Sequence, residues 1–225
     1  NINRGEKNNW NLIIMNEILR LDNVSLNINK KKIFNLSFQI NKGDFFLVKG
    51  DNAVGKSLLL KLLFLKVMPS SGSIYLLGKK INRENKDYIL SYRKRTGVIL
   101  QNDYLIPFFS VYQNIEIASE IQSKKENFKK KIVELIEWFN LNNIENEIVN
   151  NLSNGEKQRV VIARALINNP KIVIADYPEN SLDLSTTKKL FFLLESLNKL
   201  GATVIMTSKN SELLSIKYKT IVLGE

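Results

Sequence analysis

The chain has 225 residues, 44% of them hydrophobic, enough for one α/β domain with a sizeable core, or a domain plus a small insert. It has no cysteine and no histidine, which excludes a disulfide framework, a thiolate metal site and any imidazole base or ligand. Its formal net charge of +11 comes from lysines scattered among asparagine and isoleucine, the pattern of a generally cationic solvated surface, so no nucleic-acid partner is expected.

Residues 1–16 read as an N-terminal extension without fixed structure: Asn1 to Asn11 is polar with little periodicity, and Met15 is a candidate natural start. The apolar run Leu12 to Met15 is too short for a signal peptide, and no run of about 18 apolar residues that could span a membrane follows. Strands are expected over Ile18–Val24, Ile33–Ile40 and Phe45–Val48, with a turn at Asn41-Lys42-Gly43-Asp44 between the last two. Leu58–Leu65 reads as an apolar helix, Pro69–Ser73 as a turn, and Ile74–Leu77 and Val98–Leu100 as short strands. From about 110 to 145 the chain looks helical, with Ile132, Leu135, Ile136 and Phe139 at the spacing of a buried face. The apolar runs Ile172–Ala175 and Thr203–Met206, with a helix over Thr186–Leu200 between them, predict a parallel sheet covered on both faces.

Between the third strand and the first helix stands Gly50-Asp51-Asn52-Ala53-Val54-Gly55-Lys56-Ser57, the P-loop pattern G-x-x-x-x-G-K-[ST]. Phosphate oxygens need many donors and a positive field, and successive backbone N–H groups, a helix N-terminus and a lysine supply both. The candidate phosphate-binding residues are therefore Gly50, Asp51, Asn52, Ala53, Val54, Gly55, Lys56, Ser57 and Leu58. In this pattern Lys56 reaches the β- and γ-phosphates and the Ser57 hydroxyl is a Mg²⁺ ligand.

Downstream, Ile172 to Asp176 is an apolar strand ending in a carboxylate, which resembles a Walker B element. Leu152-Ser153-Asn154-Gly155-Glu156-Lys157-Gln158-Arg159, followed by Val160 to Leu166, resembles the signature sequence of ABC-type ATPases. Gln101 matches that family's Q-loop glutamine, and Ser181-Leu182-Asp183 its D-loop. The resemblance implies an α/β fold with a P-loop NTPase core, an antiparallel β subdomain and a helical signature subdomain over roughly residues 102–160, in a single domain from 17 to 225. It also implies ATP and Mg²⁺ as ligands, with Ser57, Gln101 and Asp176 on the metal. In head-to-tail dimers of the family, the signature faces nucleotide held by the other subunit, so Ser153, Gly155 and Glu156 join the binding residues and a homodimer is expected. The strings from Arg93 to Ile115 and from Leu152 to Leu166 resemble the bacterial cell-division branch FtsE, whose integral membrane partner is FtsX. The lipoprotein-releasing (LolD) and macrolide-exporter branches share overlapping motifs. A cytoplasmic protein, peripheral on the inner face of the cell membrane, is implied. Exposed apolar residues at Tyr104, Leu105, Ile106, Phe108 and Phe109 are expected to help dock the membrane partner.

The chain departs from the family pattern at five positions. Tyr177 stands where the catalytic glutamate is expected, and Lys209 where the switch histidine is expected. Asn154 replaces the first signature glycine, Ala53 a P-loop glycine, and Ile28 the aromatic that stacks on adenine. Tyr177, Lys209 and Gln101 are thus the candidate catalytic positions. A phenol is neutral at pH 7 where a carboxylate is charged, so the expectation is ATP binding with slow or absent hydrolysis. Three roles follow: an ATP-driven membrane-complex subunit, of the FtsE kind or of the lipoprotein- or macrolide-exporter kind; a nucleotide-gated scaffold that does not turn over; and, suggested only by the charge, an ABC protein acting on nucleic acid.

Overall fold

In the computed structural model, which describes residues 16–28, 31–100, 105–120 and 128–224, the strands fall into two sheets. The first is antiparallel and contains β1 (Glu17–Ile28), β2 (Lys31–Asn41), β4 (Ser71–Leu76) and β5 (Lys79–Ile81), in the order β2-β1-β4-β5. The second contains β3 (Phe45–Gly50), β6 (Thr96–Ile99), β7 (Ile172–Asp176), β8 (Thr203–Thr207) and β9 (Lys219–Leu223). Its order is β6-β7-β8-β3-β9, and every pairing is parallel.

The helices are α1 (Lys56–Leu63), α2 (Lys86–Lys94), α3 (Val111–Glu120), α4 (Phe128–Trp138), α5 (Asn154–Leu166) and α6 (Leu184–Lys199). Alternation along each core strand divides them between two hydrophobic clusters. Phe46 and Val48 of β3, Ile172 and Ile174 of β7 and Ile205 of β8 face one cluster, shared with β1, α1 and α2. Phe45 and Leu47, Val173 and Ala175, and Val204 and Met206 face the other, shared with α3 to α6. Both β7 and β8 are buried along their whole length, as a parallel sheet covered on two faces requires. Leu59, Leu60, Leu62 and Leu63 of α1 are fully buried, and each stabilises the fold by about 1.5–3 kcal/mol. That burial fixes α1 at the end of β3, and with it the loop between them.

The expected turn over Pro69–Ser73 is only partly there, because Ser71, Gly72 and Ser73 belong to β4. Gly72 has φ 84, and a Cβ on it would meet the Asn23 carbonyl oxygen at 2.2 Å. It is the close-approach residue at the register shift between Asp22 and Ser25 where β1 meets β4. The helical stretch from 110 to 145 is also shorter than expected. Helix α4 ends at Trp138, Asn140 adopts φ 52, and the Leu141 N–H donates to the Ile136 carbonyl at 2.8 Å. That is a Schellman ending with asparagine at the left-handed position. Helix α2, β5 and β9 are elements that sequence periodicity does not announce. Of the expected extension over residues 1–16, only Asn16 is among the described residues; its carbonyl accepts the Lys42 N–H at 2.8 Å.

Candidate functional site

Because the core strands are parallel, the segments leaving β3, β7 and β8 emerge at the same sheet edge, the usual place for a ligand crevice. The segment after β3 is the P-loop. Gly50 has φ 138, and a Cβ there would meet the Leu223 carbonyl oxygen of β9 at 2.4 Å. Gly55, with φ 102, is the N-cap of α1 and passes over Ile33. These two positions require glycine. Ala53 takes the left-handed conformation with φ 64, so the turn forms without the expected glycine.

A cleft of about 450 Å³ opens over this loop. The loop contributes Asn52, Ala53, Gly55, Lys56, Ser57 and Leu58 to it. Ile28, Lys61, Tyr177 and Lys209 complete the lining. The structure therefore gathers residues from four separated parts of the sequence. Gly50 and Asp51 act through their carbonyls, which accept the Lys56 ammonium at 2.5 and 2.6 Å. Val54 packs into the core beneath. Lys61 lies outside the P-loop motif; it stands four residues after Ser57, on the same face of α1. Three ammonium groups and no carboxylate line the cleft among the described residues, which makes it an anion site.

Tyr177 enters the cleft from the segment after β7 with φ 46, a rare conformation for a bulky residue and one that marks stored strain. Its N–H donates to Thr207 Oγ1 at 2.8 Å, and the Thr207 hydroxyl donates to Asp176 Oδ1 at 2.8 Å. Asp176 is 2% exposed, behind the cleft rather than in its wall. The Lys56 and Lys209 ammonium groups lie 5.9 and 5.7 Å from the Tyr177 ring centroid, within cation–π range. Gln101 and Tyr104 lie outside the described residues.

The signature residues are elsewhere on the chain. Ser153 is the N-cap of α5 and forms a capping box with Glu156. Glu156 Oε2 accepts the Ser153 N–H at 2.8 Å and its hydroxyl at 2.6 Å. The Ser153 hydroxyl, and then its backbone N–H, hold the Glu156 carboxyl below the usual range. A Cβ on Gly155 would meet the Ser181 carbonyl oxygen at 2.7 Å, so the first turn of α5 rests on the segment leading to Asp183. Asp183 caps α6, accepting the Thr186 N–H at 2.8 Å and its hydroxyl at 2.7 Å. None of Ser153, Gly155 and Glu156 lines the cleft, so P-loop and signature are separate surfaces of one copy.

Replacing Ser153 by alanine is expected to destabilise the fold by about 1 kcal/mol in urea denaturation, the usual cost of a lost N-cap. A depressed carboxyl stabilises the fold above its unfolded-state pKa, and that contribution is lost as pH falls through the folded value. Ser153→Ala is therefore expected to flatten the acid-side fall in stability as well.

Over residues 33–180 the chain matches the ABC transporter family. The chain belongs to that family. The cell-division ATP-binding protein FtsE of Bacillus subtilis is 32% identical over 196 residues, covering 87% of this chain and 86% of its own length. The methionine import ATP-binding protein MetN of Francisella tularensis is 36% identical over 174 residues, but the chain spans only 50% of its length. Among solved structures, the dimeric ATP-binding cassette MJ0796 bound to ADP and Pi superposes with a TM-score of 0.82 at 29% identity, covering 92% of this chain and 94% of that one. This ABC protein therefore has the cassette fold, with the expected P-loop core, and is an ATP-binding subunit of the transporter type. No helix among the described residues is long and apolar enough to cross a membrane.

Proposed function

We propose that this chain is the ATP-binding subunit of an FtsE-like membrane complex, in which Mg-ATP closes a head-to-tail homodimer and hydrolysis is slow or absent. The observation that carries the reading is the cleft itself: a P-loop and three lysines arranged for a polyphosphate, with Tyr177 where the family places a carboxylate. ATP would lie with its phosphates at the N-terminus of α1, close to Lys56 and Lys209, and its base against Ile28, which is 46% exposed. Ser57 and the buried Asp176 fit a phosphate-borne Mg²⁺, which takes one or two protein ligands and fills the rest with water and phosphate. When bound, the metal would neutralise phosphate charge. Gln101 would complete the set.

The separation of signature and P-loop supports a second copy, because Ser153 and Gly155 can meet a phosphate only across an interface. The dimeric structure of MJ0796 bound to ADP and Pi supports a dimer. Docking to a membrane partner falls chiefly to Phe108, 81% exposed, with Ile148, 45% exposed, beside the bridge between Ile148 and Ser110. Leu105 is not part of that surface: at 8% exposure it is a core residue, and Ile106 and Phe109 are half-buried. Such a complex would sit on the inner face of the cell membrane. The second reading, a nucleotide-gated scaffold without turnover, is favoured by the Tyr177 ring occupying the catalytic position beside two ammonium groups.

Calorimetry with Mg-ATP and a steady-state ATPase assay on one preparation test the proposal. Tight binding with turnover below that of ordinary family members is expected. Absence of binding would end the ATP reading; brisk turnover would end the claim of impaired hydrolysis.

A further inference from the structure

Two residues beyond Tyr177, Glu179 is 5% exposed and makes contacts that neither the P-loop nor the signature explains. Its Oε1 accepts the Ser208 hydroxyl at 2.7 Å and the Lys209 backbone N–H at 2.7 Å. Ser208 Oγ in turn accepts the Asn210 N–H at 3.0 Å. Its other oxygen, Oε2, is buried with no hydrogen-bond partner. Buried side-chain oxygens normally have partners, so the role of this carboxylate calls for an explanation.

We propose that Glu179 is a positioning residue for Lys209, fixing its ammonium where it reads the third phosphate of ATP. The proposal rests on the reading of the cleft as an ATP site. Two ties join the segment after β7 to the end of β8 and the segment beyond it. The first is the chain from the Tyr177 N–H through Thr207 to Asp176. The second is Glu179 on Ser208 and Lys209. Without the second, Lys209 would hang from a segment with one less anchor, and its long side chain would lose the pre-set approach to the cleft. Lysine lacks the geometric rigidity of an imidazole, so a rigid backbone is what lets it act at a fixed place. Glu179 works by accepting two hydrogen bonds, not by its charge.

The test is the ratio of Mg-ATP to Mg-ADP affinity, measured by calorimetry. A purely structural role would weaken both nucleotides together. Lys209→Met is expected to lower the ratio about tenfold, the worth of one charge-assisted hydrogen bond. Glu179→Ala should lower it by a similar factor with ADP affinity unchanged, and Glu179→Gln, whose carbonyl still accepts, should stay within about threefold of the parent. The double variant Glu179→Ala with Lys209→Met should fall no further than Lys209→Met alone, because the two act as one unit. Should Glu179→Ala not fold, Ser208→Ala removes one of the two bonds and is expected to give a partial fall. An unchanged ratio, equal weakening of both nucleotides, a loss in Glu179→Gln as deep as in Glu179→Ala, or an additive double variant would each overturn the proposal. If the parent protein binds neither nucleotide, the ATP reading has failed and takes this inference with it. If the parent binds both equally, only the inference fails.

Discussion

Replacing Tyr177 by glutamate is expected to raise steady-state ATP turnover by about 10²–10⁴, the usual contribution of a positioned acid–base group. The side chain at 177 is held in the wall of the cleft, beside Lys56 and Lys209, by its left-handed backbone and the bond from its N–H to Thr207. A phenol with a pKa near ~10 is a poor acceptor for a water proton at pH 7; a carboxylate with a pKa near ~4 is ionised there. Two ammonium groups nearby would keep it so. The cost of the change is the ring's cation–π attraction, about 0.5–2 kcal/mol, which falls on the nucleotide-free state. Phosphate release at saturating Mg-ATP is the measurement, with Lys56→Ala added to Tyr177→Glu as the background. A rate no higher than that of the parent would mean that Lys209 or Asn154 imposes a second block. Tyr177→Phe, which keeps the ring, is expected to leave turnover unchanged.

Lys56→Ala is expected to weaken Mg-ATP binding by about 100-fold. Hydrogen bonds from a charged donor are worth about 1.5–3 kcal/mol each, and each 1.4 kcal/mol is tenfold in affinity, so two phosphate contacts account for the loss. In the present structure the ammonium is held by the Gly50 and Asp51 carbonyls. Phosphate binding must therefore exchange those acceptors for better ones, and the net gain is smaller than the gross contact energy. Alanine is a good first-turn residue, and α1 is anchored by its buried leucines, so the melting temperature should shift by only a few degrees. Calorimetry of the variant checks the first expectation and thermal denaturation the second. An ATP affinity within threefold of the parent would remove Lys56 from the binding site.

Much of the site was legible because its residues are local in sequence. The P-loop from Gly50 to Ser57 is contiguous, and a glycine-rich turn between an apolar strand and an apolar helix admits few geometries. Tyr177 and Lys209 were legible through the resemblance to the ABC family, as the residues at its glutamate and histidine positions; the parallel order β7-β8-β3 then brings the segments that carry them to the edge where the P-loop leaves β3. Lys61 and Glu179 were not. Lys61 belongs to a helix whose other residues are core leucines, and nothing in its type separates it from the other scattered lysines. Glu179 acts through bonds to residues 208 and 209, a pairing that only the folded chain creates. In the fold, β7 and β8 announced themselves as uninterrupted apolar runs. Strand β9 did not, because Lys219, Thr220 and Val222 are exposed and only Ile221 and Leu223 are buried. Helix α2 is silent in the sequence for a similar reason: only Ile89 and Tyr92 of it are buried.

The order of the core sheet also bears on how the protein comes into being. Strand β3, which launches the P-loop, finds both of its neighbours far along the chain: Phe45 pairs with Val204 of β8, and Gly50 with Leu223 of β9. During synthesis the phosphate loop therefore emerges well before the strands that flank β3 and waits unpaired until they follow. Closing such long loops is slow, and unpaired apolar strands are exposed to aggregation in the interval. The ability to bind nucleotide should appear in a nascent chain only once residues 203–223 have left the ribosome, as a nearly all-or-none event.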